Sequence, residues 1–128
     1  MNKSRSKFTL NIFTLLTLLA MLFSSLGVSP AHAMTWTNKT TANGLGSDFV
    51  LGVFASGANV YAATDGGLSI STDSGATFTN KTTTNGLGDN LVLGAFASGA
   101  NVYAATYGGL SISTDSGATF TNKTTTDG

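Results

Sequence analysis

The sequence predicts an all-β chain built from four-stranded antiparallel units. Three observations carry that reading. First, the chain repeats with a period of 42 residues: positions 36–77 overlay 78–119 without a gap, and 35 of the 42 positions match. Second, each unit holds four short β-type runs punctuated by Gly, Asn, Asp and Ser. Third, no stretch of useful length shows a helical period, so a βαβ reading fails. Fixed-period self-similarity marks units that cannot bury their apolar surface alone and must stack on a neighbour.

The first 33 residues are of a different kind. Lys3, Arg5 and Lys7 open the chain, a mostly apolar run follows over 8–28, and Ser29-Pro30-Ala31-His32-Ala33 closes with an A-x-A site. That order is expected of a secretory signal peptide cleaved after Ala33. The competing reading is an uncleaved membrane anchor, since the apolar stretch approaches spanning length. No Cys follows it, which excludes a lipid-anchored lipoprotein. The expected location is secreted or periplasmic.

Residues 34–128 would be the mature part. They contain three Lys, six Asp and no Arg, Glu, His, Cys or Pro, for a formal charge of −3. A weakly acidic chain without Arg lacks the basic footprint that nucleic acid requires. Without Cys there are no disulfides, so packing alone must hold the fold.

In the first unit the four runs are expected at 49–55 (A), 59–64 (B), 68–72 (C) and 78–83 (D). The connections 56–58, 65–67 and 73–76 are short enough to join antiparallel neighbours. The D-to-A connection is longer and carries Asn85-Gly86-Leu87-Gly88. Polarity rises from A to D. Run A is apolar on both sides, with Phe49, Leu51 and Val53 on one and Val50 and Phe54 on the other. Run C alternates Leu68 and Ile70 with Ser69 and Ser71, and run D is Phe78 followed by Thr79, Asn80, Lys81 and Thr82. Runs apolar on both sides lie between layers, whereas alternation faces water on one side. The gradient therefore puts A deepest and D outermost. Four-stranded meanders with this gradient and period are expected as blades of a β-propeller. Gly52 and Gly94 inside run A would relieve crowding among innermost strands. A β-solenoid is the competing architecture, with shorter coils and no need of the gradient.

The full pattern is D-ABCD-ABCD: two repeats, 36–77 and 78–119, and the start of a third at 120–128. Closed propellers need four to eight blades, so an incomplete propeller is expected, either part of a longer one or a short chain that completes a ring by self-association.

Between runs C and D stands Ser71-Thr72-Asp73-Ser74-Gly75-Ala76-Thr77-Phe78, which recurs from Ser113 through Asp115, Gly117 and Thr119 to Phe120. Each copy is preceded by V-Y-A-A-T-x-G-G-L-S-I-S, at 60–71 and 102–113. The pattern resembles the Asp-box, or bacterial neuraminidase repeat. The combination is similar to the propellers of sortilin-type receptors, xyloglucanase-type glycoside hydrolases and photosystem II assembly factors. The resemblance covers nearly all of 34–128 and implies the propeller fold. It says little about activity.

A turn is the physical role expected of the box. The Asp73 and Asp115 side chains would accept hydrogen bonds from N–H groups two or three residues on. Gly75 supplies a backbone conformation that other residues resist. Phe78, or Trp36 ahead of the first unit, would anchor into the blade. The alternative role is a catalytic or metal-binding carboxylate.

Catalysis is not expected. Sialidases of this resemblance hold the substrate with an arginine cluster and use acidic helpers, and residues 34–128 contain neither Arg nor Glu. Two-carboxylate glycosidases need a paired acid and base, yet outside the boxes only Asp48, Asp65, Asp89 and Asp127 remain. No His or Cys serves nucleophilic or zinc chemistry. The Asp- and Gly-containing turns hold oxygen ligands for calcium but lack EF-hand-like spacing. No cofactor or metal is expected. The alternative is a fragment of a carbohydrate-active enzyme whose catalytic groups lie elsewhere. The sequons at Asn38, Asn80 and Asn122 read as by-products of the repeat.

The repeats differ at 36/78, 42/84, 47/89, 48/90, 49/91, 53/95 and 65/107. In a meander the D–A and B–C connections emerge on one face, and five of the seven differences lie on or beside them. Loops on a rigid scaffold carry function, which makes Asp48, Asp65, Asp89 and Tyr107 the candidate ligand face. Free drift of an unconstrained loop explains the same differences equally well. The reading is a secreted binding or scaffold module whose ligand is carbohydrate or protein, with self-association through exposed faces as a further expectation.

Overall fold

The computed structural model describes residues 35–128; the expected leader and its expected cleavage site lie outside the described residues. Residues 37–128 form one compact unit. It is built of two four-stranded antiparallel sheets, each a simple meander in which chain neighbours pair. The first sheet is β1 (Val50–Ser56), β2 (Asn59–Thr64), β3 (Gly67–Ser71) and β4 (Thr79–Lys81). The second is β5 (Val92–Ser98), β6 (Asn101–Thr106), β7 (Gly109–Ser113) and β8 (Thr121–Lys123). The sheets do not close into a barrel.

Short turns select the meander. Gly57 and Gly99 hold left-handed φ values of +60° and +58° at the tips of the β1–β2 and β5–β6 hairpins, a region glycine enters without a Cβ penalty. Run D is shorter than its threonine-rich sequence suggests. Only Thr79–Lys81 pairs with β3, and Thr83–Asn85 winds into a 3-10 turn instead. The cause is local. The Thr82 hydroxyl accepts the Thr84 N–H while the Asn85 side chain accepts the Thr82 N–H, a reciprocal cap that outcompetes the strand. Thr40 with Asn43 and Thr124 with Asp127 repeat it. The third cap draws a proton-free carboxylate: the Thr124 N–H, then Lys123 at 3.4 Å, hold Asp127 below the usual carboxylate range.

The two faces of run A differ from the alternation read in the sequence. Val50 pairs with Thr64 but Gly52 pairs with Ala63, so a bulge at Leu51 shifts the register. Val50 and Val53 thereby share one face, and Phe54 stands on the other beside Tyr61. The same bulge sits between Val92 and Gly94. A bulge turns the strand and raises its twist.

Each sheet has a front face, carrying Phe54, Tyr61, Ala63, Leu68 and Ile70 in the first, and a back face, carrying Val50, Val53, Ala55, Val60 and Ala62. The core forms where the front of the first sheet meets the back of the second. Tyr61, Ala63, Leu68 and Ile70 pack with Val92, Ala97, Val102 and Ala104, sealed by Leu87 and Phe120. Phe54 and Phe96 meet at 4.9 Å between centroids where β1 and β5 approach. Such tilted aromatic pairs add stabilisation beyond their area.

Burial does not decrease from run A outward in the first sheet. β1 is its most exposed apolar strand, while β2 and β3 are largely buried. β1 is an edge strand, and only one neighbouring sheet reaches it. Trp36 likewise does not anchor: it is 97% exposed, and residues 37–39 pair with no strand among the described residues.

Candidate functional site

The segment between β3 and β4 is a turn closed by its own hydroxyls and carboxylate. The Ser71 Oγ accepts the Gly75 N–H at 2.8 Å and the Asp73 N–H at 3.3 Å, and donates to Asp73 Oδ1 at 2.7 Å. The carboxylate then reaches forward. Thr77 donates its N–H to Oδ1 at 2.9 Å and its hydroxyl to Oδ2 at 2.7 Å. The backbone acceptance comes four residues on rather than two or three, because Ser74 and Gly75 both turn left-handed, at φ +60° and +83°. The Ser74 N–H instead bonds Ala58 O in the adjoining hairpin at 2.8 Å. The second turn copies the first: Ser113 donates to Asp115, and Asp115 accepts from Thr119. Phe120 enters the core, and Phe78 is half-buried.

These bonds hold both carboxylates well below the ordinary range. For Asp73 the Thr77 hydroxyl is the largest cause, followed by its N–H and the Ser71 hydroxyl. For Asp115 the Ser113 hydroxyl leads, followed by Thr119. A folded pKa below the unfolded one contributes stability that is present above about pH 4 and lost as pH falls through the folded value. The expected outcome is that Asp73→Asn with Asp115→Asn flattens the acid limb of a stability-against-pH curve between about pH 4 and 2. The single Asp73→Ala change should lower the thermal midpoint more than Asp73→Asn at pH 7, since the amide oxygen still accepts from Thr77. Thermal melts across that pH range check both.

A second network ties the other end of each sheet. Asn80 donates from Nδ2 to Gly66 O at 2.8 Å, and its Oδ1 accepts from Ser69 Oγ at 3.0 Å. Ser69 Oγ accepts the Gly46 N–H at 2.9 Å, and Thr64 bridges its own turn by donating to Gly67 O and accepting the Gly66 N–H. Asn122, Ser111, Gly88 and Thr106 repeat the pattern. The sequence reading missed this role of Asn80 and Asn122. Their fixed offset from the paired glycines, 66–67 and 108–109, was the available signal. The side-chain amides of these two sequon asparagines are thus engaged in holding the fold.

The D–A and B–C connections do come together. A Cβ at Gly66 would strike Gly46 O and one at Gly108 would strike Gly88 O, so the two loops touch in each repeat. The Tyr107 N–H also bonds Leu91 O at 3.0 Å. Of the four candidate ligand residues, two are occupied by the loop itself. Asp48 accepts the Thr41 N–H at 2.7 Å, and Asp89 accepts the Leu91 N–H at 2.7 Å. Asp65 and Tyr107, at equivalent positions of the B–C turns, project outward, and the Tyr107 side chain is 78% exposed. Among the described residues no three His, Cys, Asp or Glu side chains gather as metal ligands.

A cleft of about 240 Å³ separates the outer strands of the first sheet from the second turn, lined by Ile70, Thr72, Thr79, Lys81, Ser116 and Gly117 among others. It falls below the roughly 300–1,000 Å³ of small-molecule pockets. No family model, curated protein or solved structure matches the chain.

Proposed function

We propose that this chain is an exported β-propeller module of the Asp-box type, each sheet a blade, that acts by binding rather than by catalysis. The observation that carries the reading is the division of labour among its side chains. The box carboxylates of Asp73 and Asp115 are spent on their turns, while Asp65 and Tyr107 stand free on the paired B–C and D–A loops. An exposed tyrosine with a nearby rigid backbone supplies contact area at little entropic cost. It suits the flat face of a sugar ring or a partner protein's surface. The 42-residue meander, the repeated box and the preceding leader support the family and the exported location.

The test is a glycan and secreted-protein binding screen with the full chain, repeated with Asp65→Ala and Tyr107→Ala. Binding that falls about tenfold or more in Tyr107→Ala, at an unchanged melting temperature, supports the reading. Turnover of a glycoside substrate by the chain would replace it with the enzymatic one.

A further inference from the structure

The two sheets carry the same side chains at every strand position but one, Val53 for Ala95, yet not the same burial, and the difference has a direction. On the front faces, Leu68 is 0% exposed whereas its equivalent Leu110 is 43% exposed. Tyr61 and Ala63 are buried, and Tyr103 and Ala105 are less so. On the back faces the order reverses. Val92 is 0% exposed whereas Val50 is 45%. Val102 and Phe120 are buried, and Val60 and Phe78 are partly open. The chain thus joins one front to one back internally, and leaves open a front around Leu110 and a back along Val50 and Val53, while Ala62, Thr64, Ser69 and Ser71 farther across that back are already buried.

We propose that a second copy of this chain docks head-to-tail, with the Leu110 face of one copy seated on the Val50 face of the next, reproducing the junction already present inside each copy. Three features single out this occupant. The front-face residues are identical between repeats, so the incoming surface is one that the Val92 face already accommodates. The back faces differ at one contact position, Val53 for Ala95, an added volume at the rim rather than a change of character. The third is backbone fit. Gly52 lies against β5, where an added Cβ would stand 3.3 Å from Leu93 O, whereas a Cβ at Gly94 would meet nothing within 4 Å. Gly94 is the same bare position, open on the side where the next copy's β1 would run. The open strands are apolar at Leu110, Val50 and Val53, and Lys123, which shares the face of Leu110, is paired with Asp127 at 3.4 Å; a junction of two different faces repeats into rings or open filaments rather than stopping at a symmetric dimer.

Docking also sets two identical segments against each other. β4 leads from the edge of β3 toward the second sheet, and by the same rule residues 37–39 of the next copy fall on the edge of β7. That edge is held by Thr121–Lys123. Both segments read Thr-Asn-Lys, so either can fill it with the same bonds.

This proposal rests on the packing of the sheets and not on the ligand reading, so each can fail alone. The experiment is native mass spectrometry with light scattering on the full chain, in the form recovered after export, over a concentration series. The parent should populate oligomers. Leu110→Lys removes the free front and Val50→Lys the free back, and each variant alone should be monomeric. Mixed in equal amounts they should form a one-to-one dimer, since each retains the face the other lacks. Gly94→Val, whose Cβ meets no atom of its own chain within 4 Å, should block association as Leu110→Lys does while leaving the circular dichroism unchanged. A parent that stays monomeric at its highest soluble concentration overturns the proposal. So does Val50→Lys that dimerises by itself, or a mixture that stays monomeric while the parent associates.

Discussion

Leu68→Ala should destabilise the chain by about 2–5 kcal/mol, the range for a fully buried leucine that leaves a cavity, while Leu110→Ala should cost about 0.5 kcal/mol. The two residues occupy the same position of the 42-residue repeat and pair with equivalent lysines, Lys81 and Lys123. Their local propensities, strand register and flanking sequence are the same. Only the neighbouring sheet differs: Leu68 lies under Val92 and Val102, and Leu110 has no sheet above it in the isolated chain. Denaturant melts of the two variants at low concentration read the contrast. Equal costs would mean that the sheets do not pack as described. A cost at Leu110 that grows with protein concentration would instead report the docking of further copies.

Gly86→Ala should be the most damaging single-methyl change in the chain, at about 3 kcal/mol or more, from backbone strain added to a steric collision. Gly86 closes the second 3-10 turn at φ +94°, where a Cβ costs about 1–2 kcal/mol by itself. The added atom would also run into the Phe120 carbonyl, whose neighbouring N–H is held by Asn85 O at 2.8 Å. Neither partner can retreat, because Phe120 is a core residue. Gly94→Ala is the control. It adds a methyl at an ordinary strand φ into open space, so it should be neutral or stabilising by about 0.4–1 kcal/mol through the unfolded state. Thermal melts of the two variants side by side decide this, and a small effect at Gly86 would show that the D–A loop is not pinned to Phe120.

Much of this architecture was legible in the sequence. The four runs, their antiparallel order and the short turns follow from alternation and glycine placement, and β2 begins and ends at the residues read from pattern alone. The errors have identifiable physical sources. A bulge consumes one residue and exchanges the faces that follow it, and its one sequence signal, the interior Gly52, reads equally well as relief of crowding. The expected run D, 78–83, is too long because Thr82 and Thr83 favour a strand by composition, whereas Thr82 with Asn85 forms a cap. At the candidate site, the pairing of the B–C and D–A loops followed from meander topology. The commitment of Asp48 and Asp89 to nearby N–H groups did not, because a carboxylate two or seven residues from its donor gives no sequence signal until the loop's path is known. Depth of burial was least legible of all, since it depends on what stands on the other side of each sheet.

The near-identity of the two repeats has a kinetic consequence. Every hydrogen bond made between residues of the turn of Asp73 has a counterpart in the turn of Asp115, and β2 and β6 are the same six residues, as are β3 and β7. A hairpin arm from one repeat can therefore pair with the complementary arm of the other, 42 residues out of place, and lose none of its local bonds. Only the long loop it leaves behind opposes the error, and loop entropy grows slowly with length. Refolding from denaturant should accordingly show a slow phase that corrects such exchanges, one that disappears when substitutions make the two repeats distinguishable.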